Sequence, residues 1–152
     1  MKPFSLDDFM RESNRIENIH REPSGEEVAA TAIFLSRETV IQISDLSDLV
    51  AIYQPNARLR FSVGLDVRVG NHYPPRGGPD IQRALQEILD EAAPRGADPF
   101  SIHVRYETLH PFTDGNGRSG RALWLWMMGG IGKAPLGFLH TFYYQTLSGS
   151  RI

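Results

Sequence analysis

A glycine-rich turn, Asp114-Gly115-Asn116-Gly117, lies between two segments that both favour helix, and it fixes where the chain must reverse. Pro111 ends the segment before the turn, because a residue that precedes proline is disfavoured in helical conformation. Gly115 and Gly117 permit positive φ, so that successive N–H groups can point at one anion. The next helix adds unpaired N–H groups and the positive end of its dipole. The pattern therefore predicts a junction that binds phosphates.

Charged side chains around this turn indicate the chemistry that such a junction supports. Arg118 and Arg121 are three residues apart, so both project from one side of the first helical turns, and guanidinium groups suit phosphate oxygens. Asp114 beside phosphates suggests Mg²⁺, which prefers one or two protein oxygens together with phosphates and waters. The ordinary pKa of a histidine side chain is near 6.5, so His110 is the candidate general base at neutral pH. The P-loop pattern is absent from the sequence.

The rest of the sequence predicts a mainly α fold. Capping patterns and apolar periodicity predict helices over about 5–20, 24–35, 45–53, 81–89, 99–109, 117–128 and 135–147. Residues 59–73 alternate apolar with small or polar side chains instead, which is the period of a β-strand and predicts a small hairpin or extended flap. There is no internal repeat, low-complexity segment or linker. We therefore expect a single domain over residues 1–152.

Composition excludes several classes of function. The chain of 152 residues contains no cysteine, so disulfides, thiolate nucleophiles and zinc–thiolate sites are excluded. Its net charge of −2 argues against a general nucleic-acid binder, although a DNA-associated protein target stays possible. No apolar run approaches the roughly 20 residues that span a bilayer, and no signal peptide is visible. We expect a cytoplasmic protein; delivery as a secreted effector and homo-oligomerisation stay open.

The run from His110 to Arg121 also resembles the motif of the Fic family at every specified position: His, any, Phe, any, Asp or Glu, Gly, Asn, Gly, Arg, any, any, Arg. The order of helices, with a flap before the motif, is similar too, so the resemblance implies a Fic fold across the chain. It further implies protein adenylylation, in which AMP passes from ATP to a tyrosine, serine or threonine hydroxyl of a target protein and pyrophosphate is released. ATP and a target protein are then the expected partners, and Mg²⁺ the cofactor.

The resemblance implies a role for each residue of the motif. His110 would deprotonate the target hydroxyl, and Asp114 would hold Mg²⁺ against the α- and β-phosphates. Arg118 would bind near the β-phosphate and Arg121 would bind the γ-phosphate. The residues implied for the anion hole are Gly115, Asn116 and Gly117.

The flap has an implied role of its own. Residues 67–73 would clamp the target segment by main-chain pairing, as in β-augmentation. Its target-facing candidates are Val67, Val69 and His72.

A weaker signal lies in the first predicted helix. Ser13, Glu17 and Asn18 fit the family's inhibitory pattern, Ser or Thr, three of any residue, Glu, then Gly or Asn. Ser13 and Glu17 are four residues apart and share a helix face. The hypothesis is that Glu17 pairs with Arg121, occupies the γ-phosphate position and inhibits the protein. A solvated surface glutamate is the simpler interpretation of so loose a pattern.

Two other functions stay open. A Fic fold also supports removal of AMP, or transfer of UMP or phosphate, and the intact second half of the motif favours AMP transfer over phosphate transfer. The chain could instead be a non-catalytic nucleotide-binding or interaction module, which loss of His110 or of an arginine would have favoured.

Overall fold

The computed structural model describes residues 5–93 and 97–131, so the predicted helix over 135–147 lies outside the described residues. Within them the fold is mainly α, as predicted. The helices are α1 (Leu6–Ile16), α2 (Gly25–Leu35), α3 (Ile43–Tyr53), α4 (Pro79–Ala92), α5 (Pro99–Leu109) and α6 (Asn116–Met127). None of the helices described is both long and apolar enough to cross a membrane.

Capping boxes begin α1 and α2 where the sequence predicts them. The Ser5 hydroxyl accepts the Asp8 N–H, and the Asp8 carboxylate in turn accepts the Ser5 N–H at 3.0 Å, which makes a complete capping box. Ser24 and Glu27 form the same box at the start of α2. Each box satisfies amide groups that would otherwise lack partners, so these two ends are set by local sequence.

The end of α1 differs from the prediction of a helix to His20. α1 ends at Ile16, and Asn18 takes a left-handed conformation with φ 61°. The Asn18 N–H donates to the Arg15 carbonyl and the Ile19 N–H to the Asn14 carbonyl, both at 2.9 Å, which is a Schellman motif. Asparagine tolerates this conformation better than most residues, and it therefore stops the helix one turn early.

α6 is the central helix of the fold. Every side chain from Arg118 to Met127 on it is buried, so α6 has no solvent face. α5 packs against it, and the two are joined by a 2.7 Å hydrogen bond between the Tyr106 and Ser119 hydroxyls. At the crossing a Cβ on Gly120 would overlap the Tyr106 ring and a Glu107 carboxylate oxygen. Glycine there lets α5 approach the helix that begins at the glycine-rich turn.

Of the two predicted forms, a small hairpin or an extended flap, the structure shows mainly the extended one. Residues 59–73 form only two isolated antiparallel bridges, Leu59 with Phe112 and Val69 with His72. Leu65, Val67 and Val69 are half-buried, whereas their neighbours are exposed. Within residues 65–69 the alternation therefore records which side of an extended segment faces the rest of the protein, whereas Phe61 and Val63 are exposed and Arg60 is buried.

Candidate active site

His110 lies at the end of α5 in a strained backbone conformation. Its φ of 52° and ψ of 63° place it in the left-handed region, which is uncommon for a residue other than glycine. The geometry turns its ring back over the helix end, where Nδ1 lies 3.3 Å from the Glu107 carbonyl oxygen. That carbonyl can only accept, so we assign the proton to Nδ1. Nε2 is then left as a basic nitrogen.

The surroundings of His110 favour its neutral form. Burial lowers the pKa of this imidazole from its usual range, and the nearby charge of Arg60 lowers it further; the hydrogen bond from Nδ1 to the Glu107 carbonyl partly offsets both effects. A general base must be deprotonated before the reaction, so these surroundings suit the role predicted for His110.

Arg60 is a functional residue that sequence reasoning missed. Its side chain is completely buried, and its guanidinium lies against the carbonyl end of α5. Nε donates to the His110 carbonyl at 2.7 Å and Nη2 to the Leu109 carbonyl at 2.8 Å. Nη1 donates to the Leu65 and Pro75 carbonyls at 3.1 and 2.8 Å. One cation thus ties the flap to the helix end that carries His110, where the negative end of the helix dipole favours it.

Backbone pairing joins the base of the flap to the motif loop. The Arg60 N–H donates to the Pro111 carbonyl at 2.9 Å, and the Thr113 N–H donates to the Arg58 carbonyl at 2.8 Å. The Arg58 N–H also donates to the Thr113 hydroxyl at 2.9 Å. These bonds hold the chain on both sides of Phe112, whose ring is buried in the core.

The glycine-rich turn is closed by the side chain of Asn116. Its Oδ1 accepts the Phe112 N–H at 2.9 Å, and its Nδ2 donates to the Phe112 carbonyl at 2.8 Å. The side chain therefore braces the loop, and only the Asn116 backbone N–H is available to an anion at the start of α6. Gly115, at φ 79°, supplies the left-handed residue that begins the helix.

Asp114 stands exposed at the mouth of the turn. Its Oδ1 accepts the Gly115 N–H and its Oδ2 accepts the Gln54 side-chain amide, both at 2.7 Å. Among the described residues there is no cluster of three or more His, Asp or Glu side chains that could hold a metal by themselves. A single carboxylate beside a phosphate cradle fits Mg²⁺, which keeps waters and takes substrate phosphates as ligands. Gln54 is a second residue that sequence reasoning missed.

Arg118 points from α6 into the cleft beside Tyr53. Its Nη1 lies 3.4 Å from the Tyr53 carbonyl oxygen, and its guanidinium carbon lies 5.4 Å from the centroid of the Tyr53 ring. Its Nε has no hydrogen-bond partner in the part of the chain described, and burial lowers the pKa of this guanidinium. A buried arginine without a carboxylate partner is suited to an anionic ligand.

Arg121 is held by the end of α1. Its Nε donates to the Ser13 hydroxyl at 2.7 Å, and its Nη2 donates to the Ser13 carbonyl at 3.0 Å and to the Glu17 carboxylate at 2.7 Å. Arg121 is buried, whereas the Glu17 side chain is 36% exposed. A Cβ on Gly117 would overlap the Glu17 carboxylate, so that carboxylate lies directly against the turn. Asn18 makes no contact with Arg121 among those observed; it shapes the turn that carries Glu17.

Most of the site residues predicted from the sequence line one cleft of about 540 Å³. The motif supplies its floor and the flap one wall, through Val67, Arg68 and Val69. His72 does not line the cleft, because its Nε2 lies 2.9 Å from the Thr108 carbonyl oxygen on α5. Arg121 lies behind Glu17 and does not line it either. The lining residues from the motif and from the turn after α1 are Glu17, His110, Thr113, Asp114, Gly115, Asn116, Gly117 and Arg118.

Comparison with known proteins agrees with this arrangement. The sequence profile of the Fic/DOC family matches residues 12–128, which include the end of α1, the flap and the whole motif. A comparison with curated proteins returned no match. Since the profile covers well over half of the chain, the protein belongs to the Fic/DOC family.

Proposed function

We propose that this protein is an adenylyltransferase that moves AMP from ATP to a hydroxyl group of a target protein. The observation that carries the proposal is the arrangement within one cleft of the His110 imidazole, the glycine-rich turn and the buried Arg118. Fic/DOC membership supports transfer of a nucleotide-derived group. The cleft is also large enough for a nucleotide, since ligand sites usually measure several hundred Å³.

The chemistry follows from the residues present. The target hydroxyl attacks the α-phosphate of ATP while its proton passes to Nε2 of His110. An oxygen–phosphorus bond forms, the bond between the α-phosphorus and the bridging oxygen breaks, and pyrophosphate leaves. Asp114 would hold Mg²⁺, which when bound neutralises the phosphate charge that develops. Arg118, the N–H groups of the turn and Arg121 orient the phosphates, which is the main contribution of a protein to phosphoryl transfer.

We further propose that the wild-type protein is autoinhibited by Glu17. Its carboxylate occupies the region against Gly117 and Arg121 where a terminal phosphate would bind. ATP must displace this ion pair to reach Arg121, and a triphosphate that cannot do so binds weakly or with its α-phosphate out of line for attack. Removing the carboxylate should therefore increase transfer.

The test uses ATP labelled separately at the α- and γ-phosphates, with Mg²⁺ and a cell lysate. Wild type, Glu17→Ala and Glu17→Ala/His110→Ala are compared. Glu12→Ala is the matched control, since Glu12 also accepts a hydrogen bond from an arginine, Arg15, at 2.9 Å. We expect α-label on protein with Glu17→Ala alone, at least about tenfold above wild type and the control.

Other results identify other functions. Transfer of the γ-label would show that the nucleotide binds reversed and that the protein is a kinase. Binding of ATP by folded Glu17→Ala without transfer of either label would favour a non-catalytic module. Removal of AMP is the second candidate, because Glu17 lines the same cleft as His110 and could position a water. Loss of label from a pre-adenylylated protein that requires Glu17 would show that activity.

A further inference from the structure

We propose that the flap selects target segments that carry acidic and apolar residues next to the modified hydroxyl. The surface consists of Arg58, Arg68 and Arg76 together with Phe61, Val63 and Tyr73, and we call it the flap surface. The proposal rests on the proposed function, since it names the class of protein segment that enters the same cleft.

Charge is distributed unevenly between the flap and the rest of the protein. Residues 57–77 contain four arginines and one aspartate, a formal charge of +3, whereas the whole chain carries −2, which leaves −5 for the remainder. The aspartate is engaged within the flap, because Asp66 accepts the Gly77 N–H at 2.8 Å. A partner that meets the flap therefore meets positive charge, and a strongly negative partner is repelled elsewhere.

The arginines of the flap surface differ from most arginines elsewhere in the described residues. Seven of those each form a salt bridge with a carboxylate: Arg11, Arg15, Arg21, Arg37, Arg83, Arg105 and Arg121. Arg58, Arg68 and Arg76 are exposed and form none with any described residue. Among the exposed arginines that the structure describes, these three are therefore available to carboxylates of another molecule.

Arg68 places one of these charges at the mouth of the cleft. Its Nε donates to the Gly70 carbonyl at 2.7 Å, and its guanidinium carbon lies 4.9 Å from the centroid of the Tyr73 ring. These contacts orient the side chain, and the residue is exposed. Val67 and Val69, on either side of it, line the cleft that holds His110. An acidic residue beside the modified hydroxyl would lie within reach of Arg68.

Apolar side chains on the flap surface point to a protein partner. Phe61 is 53%, Val63 is 88% and Tyr73 is 68% exposed, and they are half of the large apolar side chains that the described structure leaves exposed. Large exposed apolar side chains on the segment that forms a wall of the cleft favour an interaction surface there. Single-stranded nucleic acid would use aromatic rings and arginines, but Val63 offers no stacking face and the charge of −5 elsewhere opposes a polyanion.

The test measures binding separately from transfer. Three fluorescein-labelled peptides of equal length each carry one central tyrosine, flanked by Glu and Leu, by Lys and Leu, or by Ser and Gly. Binding to full-length Glu17→Ala is followed by fluorescence anisotropy, and transfer of AMP by mass spectrometry. We expect the Glu/Leu peptide to bind about tenfold more tightly than the other two, and the preference to shrink as salt increases.

Two double variants that reverse the same number of arginine charges, one pair on the flap and one pair on the helices, are then compared. Arg68→Glu/Arg76→Glu should abolish the preference, whereas Arg83→Glu/Arg105→Glu changes the net charge equally on the helices and should retain it. Circular dichroism and thermal melting show that both variants are folded. Equal binding of the three peptides, or equal loss in both double variants, would overturn the proposal.

Two further outcomes separate this proposal from the proposed function. Preferential binding of the Glu/Leu peptide without transfer of AMP supports the flap surface and contradicts adenylylation. Transfer to all three peptides at the same rate supports adenylylation and contradicts the flap surface. Tighter binding of a fluorescein-labelled oligothymidine than of the Glu/Leu peptide would assign the surface to nucleic acid and overturn the proposal.

Discussion

His110 combines a left-handed backbone with a half-buried ring, and both features bear on its proton. Burial lowers the pKa of the imidazole, so the base form persists at pH values where an ordinary histidine is protonated. Transfer by Glu17→Ala should therefore fall on the acid side only below about pH 6.5, the ordinary value. A pH profile of transfer from pH 5 to 9 measures this, and half-loss at pH 7 or above would contradict it.

Arg60 is the residue whose loss should cost the protein most stability at this site. Arg60→Met removes the donors that bind four carbonyl groups and leaves buried acceptors without partners. We expect a loss of about 2–4 kcal/mol in the free energy of unfolding, measured with urea. Arg58→Met is the matched control two residues away: its exposed side chain should change stability by less than about 0.5 kcal/mol. Similar losses in the two variants would show that the buried contacts are not the cause.

Individual residues were predictable from sequence only where their partners are local or belong to a motif. His110 and Asp114 lie in a run whose spacing indicates chemistry. Arg60 lies at a position where alternation leads one to expect an exposed polar side chain, and its partners are carbonyl groups far along the chain. Backbone carbonyls have no sequence signature, so neither the burial of Arg60 nor the contact of Gln54 with Asp114 could be predicted.

At the scale of elements, the end of α1 determines where the Glu17 carboxylate lies. The Schellman motif requires a left-handed residue at position 18, which glycine adopts freely and a β-branched residue adopts only with strain. Asn18→Gly should keep transfer at the wild-type level. Asn18→Val should weaken the turn by about 1–2 kcal/mol and release Glu17, and so raise transfer of α-label.

Comparing Asn18→Gly with Asn18→Val separates the effect of the backbone conformation at position 18 from the effect of losing the asparagine side chain. His20 Nε2 lies 2.8 Å from the Asn18 side-chain oxygen, and both variants lose this contact. Equal activation of both would therefore mean that the asparagine side chain, and not the backbone of the turn, restrains Glu17.

Elements were predictable where capping residues and period agree. α1 and α2 begin at capping boxes that the sequence displays, and Pro99 behind the Asp98 cap starts α5. The flap was predicted as a small hairpin or an extended segment, because alternation has the same appearance in a paired strand and in a segment that lies on a protein surface. The structure shows mainly an extended segment, whose internal pairing is limited to the bridge between Val69 and His72.

For the whole molecule, the proposed function has ATP compete with the docking of α1 for Arg121. A ligand at 100 times its dissociation constant stabilises a fold by about 2.7 kcal/mol. Saturating ATP with Mg²⁺ should therefore raise the melting temperature of Glu17→Ala by about 5–10 °C, and that of wild type by much less at the same concentration. Differential scanning fluorimetry measures both. Equal shifts would show that Glu17 does not obstruct the nucleotide.

The mainly helical fold and the family were predictable because one motif and the order of helices specify them. The shape of the cleft was not, since it depends on contacts between α1, the flap and α6 that are distant in sequence. The chemistry of the flap surface also needed the structure: the sequence shows the arginines, but only the folded chain shows which of them lack a carboxylate.

Glu17 and Arg121 belong to one chain, and this has a consequence for gene dosage. Their encounter is intramolecular, so its effective concentration is set by the fold and not by the amount of protein. A regulator supplied as a separate chain would be outnumbered whenever expression of the enzyme rose. Under the proposed autoinhibition every copy would carry its own restraint, and the restrained fraction would stay the same from the first molecule made to the last.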